Sequence, residues 1–270
     1  MALRLLAGVC SDVGAFRDVN QDAAFAAPWG GGVADGVGGG PAGDLASAAL
    51  VHRLVAGGAE CADPDELASR IRIANWDLAQ HVRRDPALRG MATTFTGVWF
   101  DRSGALLLAH TGDSRAYLLR DGQLSRQTRD DSFVQALVDQ GLMTEADAAV
   151  HPRRNIITAS LRGDALDRVS VSRRVPVVGD RWLLCSDGIS DYVPHDLLTA
   201  VLASAGTAQE AAELIVGTAL EAATRDNATA VVCDVVEVAS PAPFRADDLR
   251  FAGAALARFH EDLEGLTSAS

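Results

Sequence analysis

The sequence predicts an α+β fold in which two antiparallel β-sheets pack face to face and are flanked by helices. Segments with strand-like and helical patterns follow one another in blocks, in the order strands, two helices, strands, two helices, strand. Blocks of this kind indicate helices segregated from antiparallel sheets, not alternating βαβ units. Short turns join consecutive strands, among them Asp121-Gly122, a typical two-residue hairpin sequence. With 48 % hydrophobic residues in a chain of 270, the core is ample despite a net charge of −12.

The first half of the chain begins with strands and continues with two helices. Apolar runs predict strands at 3–10 and 23–27 and a third strand that ends at Asp35. Helices are predicted at 44–55 and 64–82 from apolar residues spaced by three and four. The second helix has a clear start, because an N-cap aspartate precedes a proline and a glutamate follows at capping-box spacing.

A strand-like period returns after the second helix. The predicted strands of this half are 94–100, 105–110, 115–120, 123–126, 169–175, 181–185 and 230–238. Two further helices are predicted at 194–204 and 207–222, the latter with Leu214, Ile215 and Leu220 on its buried side. The interval 128–165 is polar and partly helical, and a segment of this kind between strands is typical of an active-site flap.

Composition narrows the classes of function. An isoelectric point of 4.8 disfavours nucleic-acid binding, which needs a basic face. The four cysteines, Cys10, Cys61, Cys185 and Cys233, form no CxxC pair, so we expect free thiols in a reducing compartment. The sequence contains no apolar run near the roughly 20 residues of a membrane span, and its first residues lack the apolar length of a signal peptide. We therefore expect a soluble, cytoplasmic protein that binds no membrane.

Aspartates at four strand ends predict a site for divalent metal ions. Asp35, Asp113, Asp187 and Asp226 each stand where an apolar strand meets a turn. In a sandwich, strand ends of both sheets can converge at one edge, and clustered carboxylates are tolerated mainly when cations neutralise them. Carboxylates without imidazole or thiolate suit Mg²⁺ or Mn²⁺ better than zinc. For Asp35 alone, a glycine-rich turn with an ordinary capping aspartate is the alternative interpretation.

Such a site is suited to the hydrolysis of phosphate esters. Two divalent ions that share a carboxylate lower the pKa of a bridging water, and the resulting hydroxide can attack phosphorus in line. The substrate phosphate also needs a cationic clamp, for which arginine is the best side chain. Arg17 lies in the loop just before the strands that carry Asp22 and Asp35. The sequence shows no evident Ser/His/Asp or Cys/His arrangement for a covalent mechanism.

Taken together, these motifs resemble the metal-dependent protein phosphatases of type 2C (the PPM family), specifically their compact bacterial members. The matching segments, in the family's order, are Ser11–Gly14, Arg17, Asn20–Asp22, Val33–Gly39, Thr93-Thr94, Thr111–Tyr117, His151-Pro152 with Asn155, Leu184–Gly188 and Asp226–Thr229. They span residues 5–236, nearly the whole chain. The resemblance implies a four-layer sandwich, two antiparallel sheets flanked by pairs of α-helices, in a catalytic domain over 1–239 with its flap at about 128–165.

The resemblance also implies a set of metal ligands. Asp35 would bridge two core ions, and Gly36 would give its backbone carbonyl to one of them. Asp187 and Asp226 would hold the other core ion. Asp113, together with Asp187, matches the weaker third-metal site of bacterial members. The implied cofactors are therefore Mn²⁺ or Mg²⁺, as two core ions and a weaker third.

Further roles follow from the same resemblance. Arg17 matches the phosphate-binding arginine, Asp22 would hydrogen-bond a metal-bound water, and Asn227 would orient the neighbouring aspartate. Two positions depart from the family pattern. Gln21 replaces a frequent glutamate, which removes one negative charge from the surroundings of the second ion. Val37 stands where eukaryotic members carry a histidine proposed as general acid, so no side chain at that position can protonate the leaving alkoxide.

The implied function is a protein serine/threonine phosphatase that hydrolyses phosphoserine and phosphothreonine esters by attack of a metal-bridging hydroxide. Its expected partners are phosphoproteins and a cognate Ser/Thr kinase. One alternative is a pseudo-phosphatase, which binds phosphoproteins without turnover, but the intact Asp35, Asp187, Asp226 and Arg17 argue against it. Another is a two-metal nuclease, which the acidic balance of the chain disfavours.

The last part of the chain lies beyond the catalytic domain. Residues 240–270 are predicted to form a short linker and an amphipathic helix over 245–266. The apolar residues of this helix, spaced by three and four, are Leu249, Ala252, Leu256, Phe259, Leu263 and Leu266. Two interpretations stay open: the stripe packs on this protein's own helices, or it docks a partner or a second copy.

Overall fold

The computed structural model describes residues 2–37, 42–58, 61–239 and 248–258. Within these residues the strands are β1 (Ala2–Asp12), β2 (Asp22–Ala27), β3 (Gly30–Val37), β4 (Ala92–Thr93), β5 (Phe95–Phe100), β6 (Leu106–Thr111), β7 (Arg115–Arg120), β8 (Gln123–Arg126), β9 (Ser170–Arg174), β10 (Arg181–Cys185), β11 (Ala228–Val238) and β12 (Arg250–Gly253). The helices are α1 (Gly43–Ala56), α2 (Pro64–Arg84), α3 (Phe133–Asp139), α4 (Glu145–Ala149), α5 (Asp187–Ser190), α6 (His195–Ser204), α7 (Ala208–Glu221) and α8 (Ala254–Arg258).

The strands form two antiparallel sheets. The first has the order β1-β11-β10-β7-β8, and β1 pairs with β11 along its whole length, from Ala2 opposite Val238 to Asp12 opposite Ala228. The second has the order β12-β2-β3-β5-β6-β9, with the short strand β4 added on β3. Helices α1 and α2 cover the second sheet, and α6 and α7 cover the first. The predicted α+β sandwich with pairs of flanking helices is therefore confirmed.

Three apolar clusters hold these layers together. The cluster between the sheets includes Leu5, Val33, Trp182 and Val231, all of them fully buried. A second cluster lies under α1 and α2, and a third under α6 and α7. Because both faces of the sheets are covered at their centres, inner strands such as β2, β6 and β10 are almost entirely buried.

The buried side of α7 differs from the prediction. Of the three residues expected to be buried, Ile215 is buried, but the exposed fractions of Leu214 and Leu220 are 51 % and 38 %. The helix starts directly against β1, where a side chain on Gly8 would collide with the backbone of Gln209. Small residues therefore face the sheet, and most of the buried surface of α7 is alanine together with Ile215 and Val216.

The C-terminal segment also differs from the prediction. Residues 250–253 form the edge strand β12, antiparallel to β2, and only 254–258 of the described residues are helical. The continuous helix predicted from 245 is therefore wrong over 250–253, because the free edge of β2 offers backbone hydrogen bonds to an extended segment. The described part of the segment packs on its own domain through α1. Residues 240–247, which include the predicted linker and the start of the predicted helix, lie outside the described residues. So do the stripe residues Phe259, Leu263 and Leu266.

Smaller features follow local chemistry. The Asp121-Gly122 hairpin has positive φ at both residues, 51° and 74°, as a two-residue turn of this type requires.

All four cysteines are unpaired, and three of them are buried. None of the described helices is both long enough and apolar enough to cross a membrane.

Candidate active site

The aspartates predicted to form the site come from strand ends on one edge of the sandwich. Asp22 begins β2, and it stands opposite Asp35 near the end of the neighbouring strand β3. In the other sheet, Asp187 lies two residues after the end of β10, and Asp226 lies two residues before the start of β11. Asp113 lies in the turn that joins β6 of one sheet to β7 of the other. Face-to-face packing of the two sheets therefore brings all five carboxylates to the same edge.

Close packing of two turns places Asp187 beside Asp226. The residue after Asp187 is Gly188, and a Cβ at that position would collide with the carbonyl oxygen of Asn227. Any side chain there would separate the two turns, because the obstacle is backbone and cannot move aside. The glycine in the Ser186-Asp187-Gly188 motif thus has a packing reason, which is the close approach of the two aspartate-bearing segments.

A small cavity opens between these carboxylates. Its volume is about 160 Å³, and its lining is Arg17, Gln21, Asp35, Gly36, Val37, Asp113, Asn155, Ile157, Asp187, Asp226 and Asn227. Asp35, Asp113 and Asp187 are partly exposed, but the surface that they expose borders this cavity. A second cavity of about 260 Å³ adjoins it and lies between the flap helices α3 and α4 and the body of the domain.

The carboxylates are electrostatically strained in the absence of cations. Burial is the largest cause, followed by repulsion from the neighbouring aspartates, and together they raise the pKa of Asp35 and that of Asp187 well above the ordinary range. Burial raises the pKa of Asp22 to about 6. Burial and repulsion from Asp130 raise the pKa of Asp113 to about 7. A site of this kind favours either protons or cations.

Arg17 supplies positive charge at the mouth of the cavity. Its Nη2 atom lies 2.6 Å from Oδ2 of Asp226, and about half of the arginine side chain is exposed. The loop that carries Arg17 is fixed by Asn227, whose Nδ2 donates to the carbonyl oxygens of Val13 and Val19 at 2.9 and 3.1 Å. Its Oδ1 accepts from the backbone N–H of Gln21 at 2.8 Å.

These contacts refine the roles predicted for Asn227 and Asp22. The backbone N–H of Asn227 donates to Oδ1 of Asp226 at 2.9 Å, whereas its side chain holds the Arg17 loop. Asp22 is buried and accepts a hydrogen bond from the Ser186 hydroxyl at 2.7 Å. The carboxyls of Asp22 and Asp35 also interact with each other, and repulsion from Asp22 is among the causes that raise the pKa of Asp35. Asp22 therefore supports the floor of the site from the second sheet.

The donors available in the cavity suit a hard divalent cation. The side chains that line it offer carboxylate and amide oxygens, and no imidazole or thiolate is among them. Across the described residues, no three His, Cys, Asp or Glu side chains already converge as an ion's ligands. Two of the carboxylates have protein partners instead, since Asp226 pairs with Arg17 and Asp22 with Ser186. The residues present fit Mg²⁺ or Mn²⁺ once the carboxylate of Asp226 turns from Arg17 toward an ion.

Some residues of the site were not assigned by sequence reasoning. Asn155 and Ile157 reach the cavity from the flap, although only Asn155 belonged to a recognised motif. Ser186, which binds Asp22, and Thr94, which binds Asp35, also lay in quoted motifs without a role. Their contacts join residues far apart in the chain, so the only available signal was their place in the motifs.

The order of motifs and the geometry of this edge have a counterpart in a known family. The sequence profile of the family Protein phosphatase 2C matches residues 14–220, more than half of the chain. The chain belongs to the protein phosphatase 2C family. The match confirms the family resemblance that the motifs predicted. The matched region contains Arg17, Asp35, Asp113 and Asp187, and it ends before Asp226.

Named bacterial proteins of this kind are similar to the chain. The serine/threonine protein phosphatase PstP of Mycobacterium tuberculosis is 40 % identical over 239 residues, which are 84 % of this chain and 44 % of PstP. The chain thus spans less than half the length of that relative. The serine/threonine phosphatase stp of Listeria monocytogenes is 32 % identical over 209 residues, covering 75 % of this chain and 82 % of the relative.

Solved structures of the protein phosphatase 2C family share the fold. The crystal structure of the Mycobacterium tuberculosis phosphatase PstP/Ppp has a TM-score of 0.81 and 37 % identity, and it covers 87 % of this chain and 100 % of that one. The catalytic domain of PstP in complex with two manganese ions has a TM-score of 0.79 and 36 % identity, with the same coverage. The two-sheet sandwich is thus the architecture of this family.

Proposed function

We propose that this protein is a metal-dependent serine/threonine phosphatase that hydrolyses phosphoserine and phosphothreonine esters in proteins. The observation that carries the proposal is the cavity in which Asp35, Asp113, Asp187 and Asp226, from both sheets, lie together with Arg17. Relatives named serine/threonine phosphatases support it. The activity is a proposal for this chain because PstP extends well beyond the part that the chain matches.

The proposed ions are two core Mn²⁺ or Mg²⁺ ions and a weaker third. Asp35 and the carbonyl of Gly36 are the proposed ligands at the centre, with Asp187 and Asp226 on the side of the other sheet and Asp113 at the third ion. When bound, divalent ions supply Lewis acidity and make a water molecule nucleophilic enough to attack phosphorus in line. The manganese in the PstP structure supports Mn²⁺, and the carboxylate chemistry accommodates both metals.

The chain's own side chains bind and orient the substrate. Arg17 can donate two parallel hydrogen bonds to a phosphate, and it exchanges its contact with Asp226 for the phosphate as the ester enters. None of the described cavity-lining residues is a histidine, so the proton for the leaving alkoxide comes from water. The adjoining cavity beneath α3 and α4 offers room for the peptide around the phosphorylated residue.

The proposed setting is a signalling pair. Phosphoproteins are the proposed substrates, a Ser/Thr kinase that acts on the same proteins is the proposed counterpart, and the cytoplasm is the proposed location. The pseudo-phosphatase alternative has no support at this site, because every aspartate expected to hold an ion is present and lies at the cavity. The nuclease alternative is disfavoured by the net charge of −12.

Turnover measurements with matched variants test the proposal. We expect hydrolysis of a phosphothreonine peptide and of a small aryl phosphate with Mn²⁺ or Mg²⁺, and none with a chelator. Asp187→Asn and Asp226→Asn should lose nearly all turnover, because each removes a charged oxygen donor from the proposed ions. Asp196→Asn, on the exposed surface of α6, is the control and should behave like wild type. Substantial turnover by the fully chelated wild type would contradict the proposal.

A further inference from the structure

Two buried threonines hold the backbone of Asp35 from both sides. The N–H of Asp35 donates to Oγ1 of Thr94 at 3.0 Å, and the N–H of Thr94 donates to the carbonyl of Asp35 at 2.8 Å. The hydroxyl of Thr93 donates to the same carbonyl at 3.0 Å. Both threonines are fully buried. The backbone position of Asp35 thus depends on hydroxyl groups to which solvent has no access.

The same hydroxyl of Thr94 reaches the turn that carries Asp113. Its Oγ1 lies 2.7 Å from Oγ of Ser114, the residue after Asp113, and Ser114 is fully buried as well. The carbonyl of Ser114 accepts from the Thr96 hydroxyl at 2.8 Å. One hydrogen-bonded chain therefore runs from the Asp35 amide through Thr94 to the Asp113 turn.

The shape of this turn is fitted to Thr94. Gly112 has a φ of +102°, and a Cβ on it would lie 2.5 Å from Cγ2 of Thr94. The glycine thus permits both the turn and the close approach of the threonine methyl group. Shape and hydrogen bonding, which are independent observations, place Thr94 at the junction of the two aspartate-bearing segments.

The junction also meets the end of the flap. The N–H of Thr93 donates to the carbonyl of Leu161 at 2.9 Å, and the N–H of Leu161 donates back at 2.8 Å. On the other side, Asp131 accepts from the N–H of Gly112 at 3.0 Å and donates its own N–H to the Gly112 carbonyl at 2.7 Å. Both ends of the flap are therefore tied to the segments that Thr94 connects.

We propose that Thr94 and Ser114 are positioning residues that join Asp35 and the Asp113 turn into one rigid unit. The inference rests on the proposed function in one respect, because the two carboxylates are the proposed ligands of a core ion and of the third ion. Neither hydroxyl touches the cavity. Both act through the backbone that carries the aspartates, so ion affinity at Asp35 depends on the hydroxyl pair.

Metal binding by matched variants measures this coupling. Thr94→Val keeps the shape and removes the hydroxyl, and it leaves the buried Asp35 amide without an acceptor. We expect Thr94→Val and Ser114→Ala each to weaken Mn²⁺ binding, measured by calorimetry without substrate, by about 10- to 100-fold, as is typical when a group that orients a ligand is removed. Thr94→Ser should restore affinity, and the double variant should be no weaker than Thr94→Val alone.

A control separates positioning from general stability. Thr128 is another buried threonine whose Oγ1 accepts a backbone N–H, from Ala116 at 3.0 Å, away from the cavity. Thr128→Val should lower thermal stability as Thr94→Val does, yet leave Mn²⁺ affinity unchanged. Unchanged Mn²⁺ affinity in Thr94→Val, failure of Thr94→Ser to restore it, or an equal loss in Thr128→Val would each overturn the inference.

Hydrogen exchange of the Asp35 amide provides a readout without metal. We expect this amide to exchange faster in Thr94→Val than in wild type and Thr94→Ser, with Ser114→Ala between them. If the wild type binds no Mn²⁺, the proposed function fails, and the exchange rates still decide whether the pair holds Asp35. If the wild type binds Mn²⁺ and hydrolyses substrate while Thr94→Val matches it in affinity and exchange, the positioning inference fails and the proposed function stands.

Discussion

At the scale of single residues, the main feature of the site is the ion pair between Arg17 and Asp226. The 2.6 Å contact joins residues 209 positions apart in sequence, and it pairs Asp226 directly with a cation. Burial and the neighbouring aspartates are the main causes that raise the pKa of Asp35 and that of Asp187. In the proposed mechanism, the guanidinium of Arg17 binds the substrate phosphate and the carboxylate of Asp226 binds an ion. Under that proposal, substrate binding and ion binding meet at this pair.

Replacing Arg17 should weaken substrate binding without removing the metal ligands. Loss of a hydrogen-bonded charged contact costs about 1.5–3 kcal/mol, so KM for a phosphothreonine peptide should rise by about 10- to 100-fold in Arg17→Ala. Arg17→Lys should recover only part of this, because an ammonium group lacks the planar fork of arginine. Steady-state kinetics with saturating Mn²⁺ measure the effect. An unchanged KM in Arg17→Ala would assign Arg17 to the surface alone.

The carboxylates make the pH dependence of stability a second residue-scale prediction. The raised pKa values of Asp22, about 6, and of Asp113, about 7, exceed that of an unfolded aspartate, near 4. Between about pH 4 and pH 7 the folded state therefore holds more protons than the unfolded state at these groups. Their contribution to the stability of the metal-free protein is full at low pH and is lost as pH rises through this window.

Asp113→Asn tests this sign directly. With a chelator present, the variant should be more stable than wild type above about pH 7, and its advantage should shrink toward about pH 4. Urea unfolding across the pH range measures the difference in free energy of unfolding. A difference between Asp113→Asn and wild type that stays constant with pH would contradict the raised pKa.

The sequence predicts the site aspartates but not the residues that contact them. Asp35, Asp187 and Asp226 could be predicted because strand and turn signals are local and place each aspartate at a strand end. The hydrogen-bonding partners around these aspartates could not be predicted. The contacts of Ser186 with Asp22 and of Thr94 with Ser114 arise from sheet packing, which brings together residues 164 and 20 positions apart.

At the scale of secondary-structure elements, β12 is a strand in a segment for which the sequence pattern predicted a helix. The apolar residues of 245–266 recur at helical spacing, yet the four residues of Arg250–Gly253 extend along the edge of β2. Backbone hydrogen bonds to an open edge outweighed a weak local preference for helix. The error in α7 has a similar origin, because contact with β1 selected the face with small side chains. Local periodicity identifies an element but not the neighbour that it meets.

The docked C-terminal segment should stabilise the domain. The ring of Phe251 stacks on His52 with centroids 4.4 Å apart, and Nε2 of His52 lies 2.7 Å from the carbonyl oxygen of Ala255. Phe251→Ala should lower the free energy of unfolding by about 2 kcal/mol, less than for a fully buried phenylalanine. Leu256→Ala, at a half-exposed position of the same segment, should cost less than about 0.5 kcal/mol. Equal urea midpoints for Phe251→Ala and wild type would show that the segment is not docked in solution.

At the scale of the whole molecule, the site exists only where the two sheets meet. Asp22 and Asp35 belong to one sheet, Asp187 and Asp226 adjoin strands of the other, and Asp113 lies in the connection between them. Ions bound across this edge are therefore expected to stabilise the packing of both sheets, in proportion to their affinity. The sandwich could be predicted from element order, and the edge at which the aspartates converge followed from it.

Anomalous X-ray diffraction at the manganese edge, from crystals grown with Mn²⁺, locates the proposed ions directly. We expect two strong peaks that share Asp35, with Asp187 and Asp226 among their ligands, and a weaker peak beside Asp113. Asp226→Asn crystals under the same conditions should lose a core peak, whereas Asp196→Asn crystals should keep all of them. Peaks away from these aspartates, or no peak in crystals of a protein that turns over substrate, would contradict the proposed metal site.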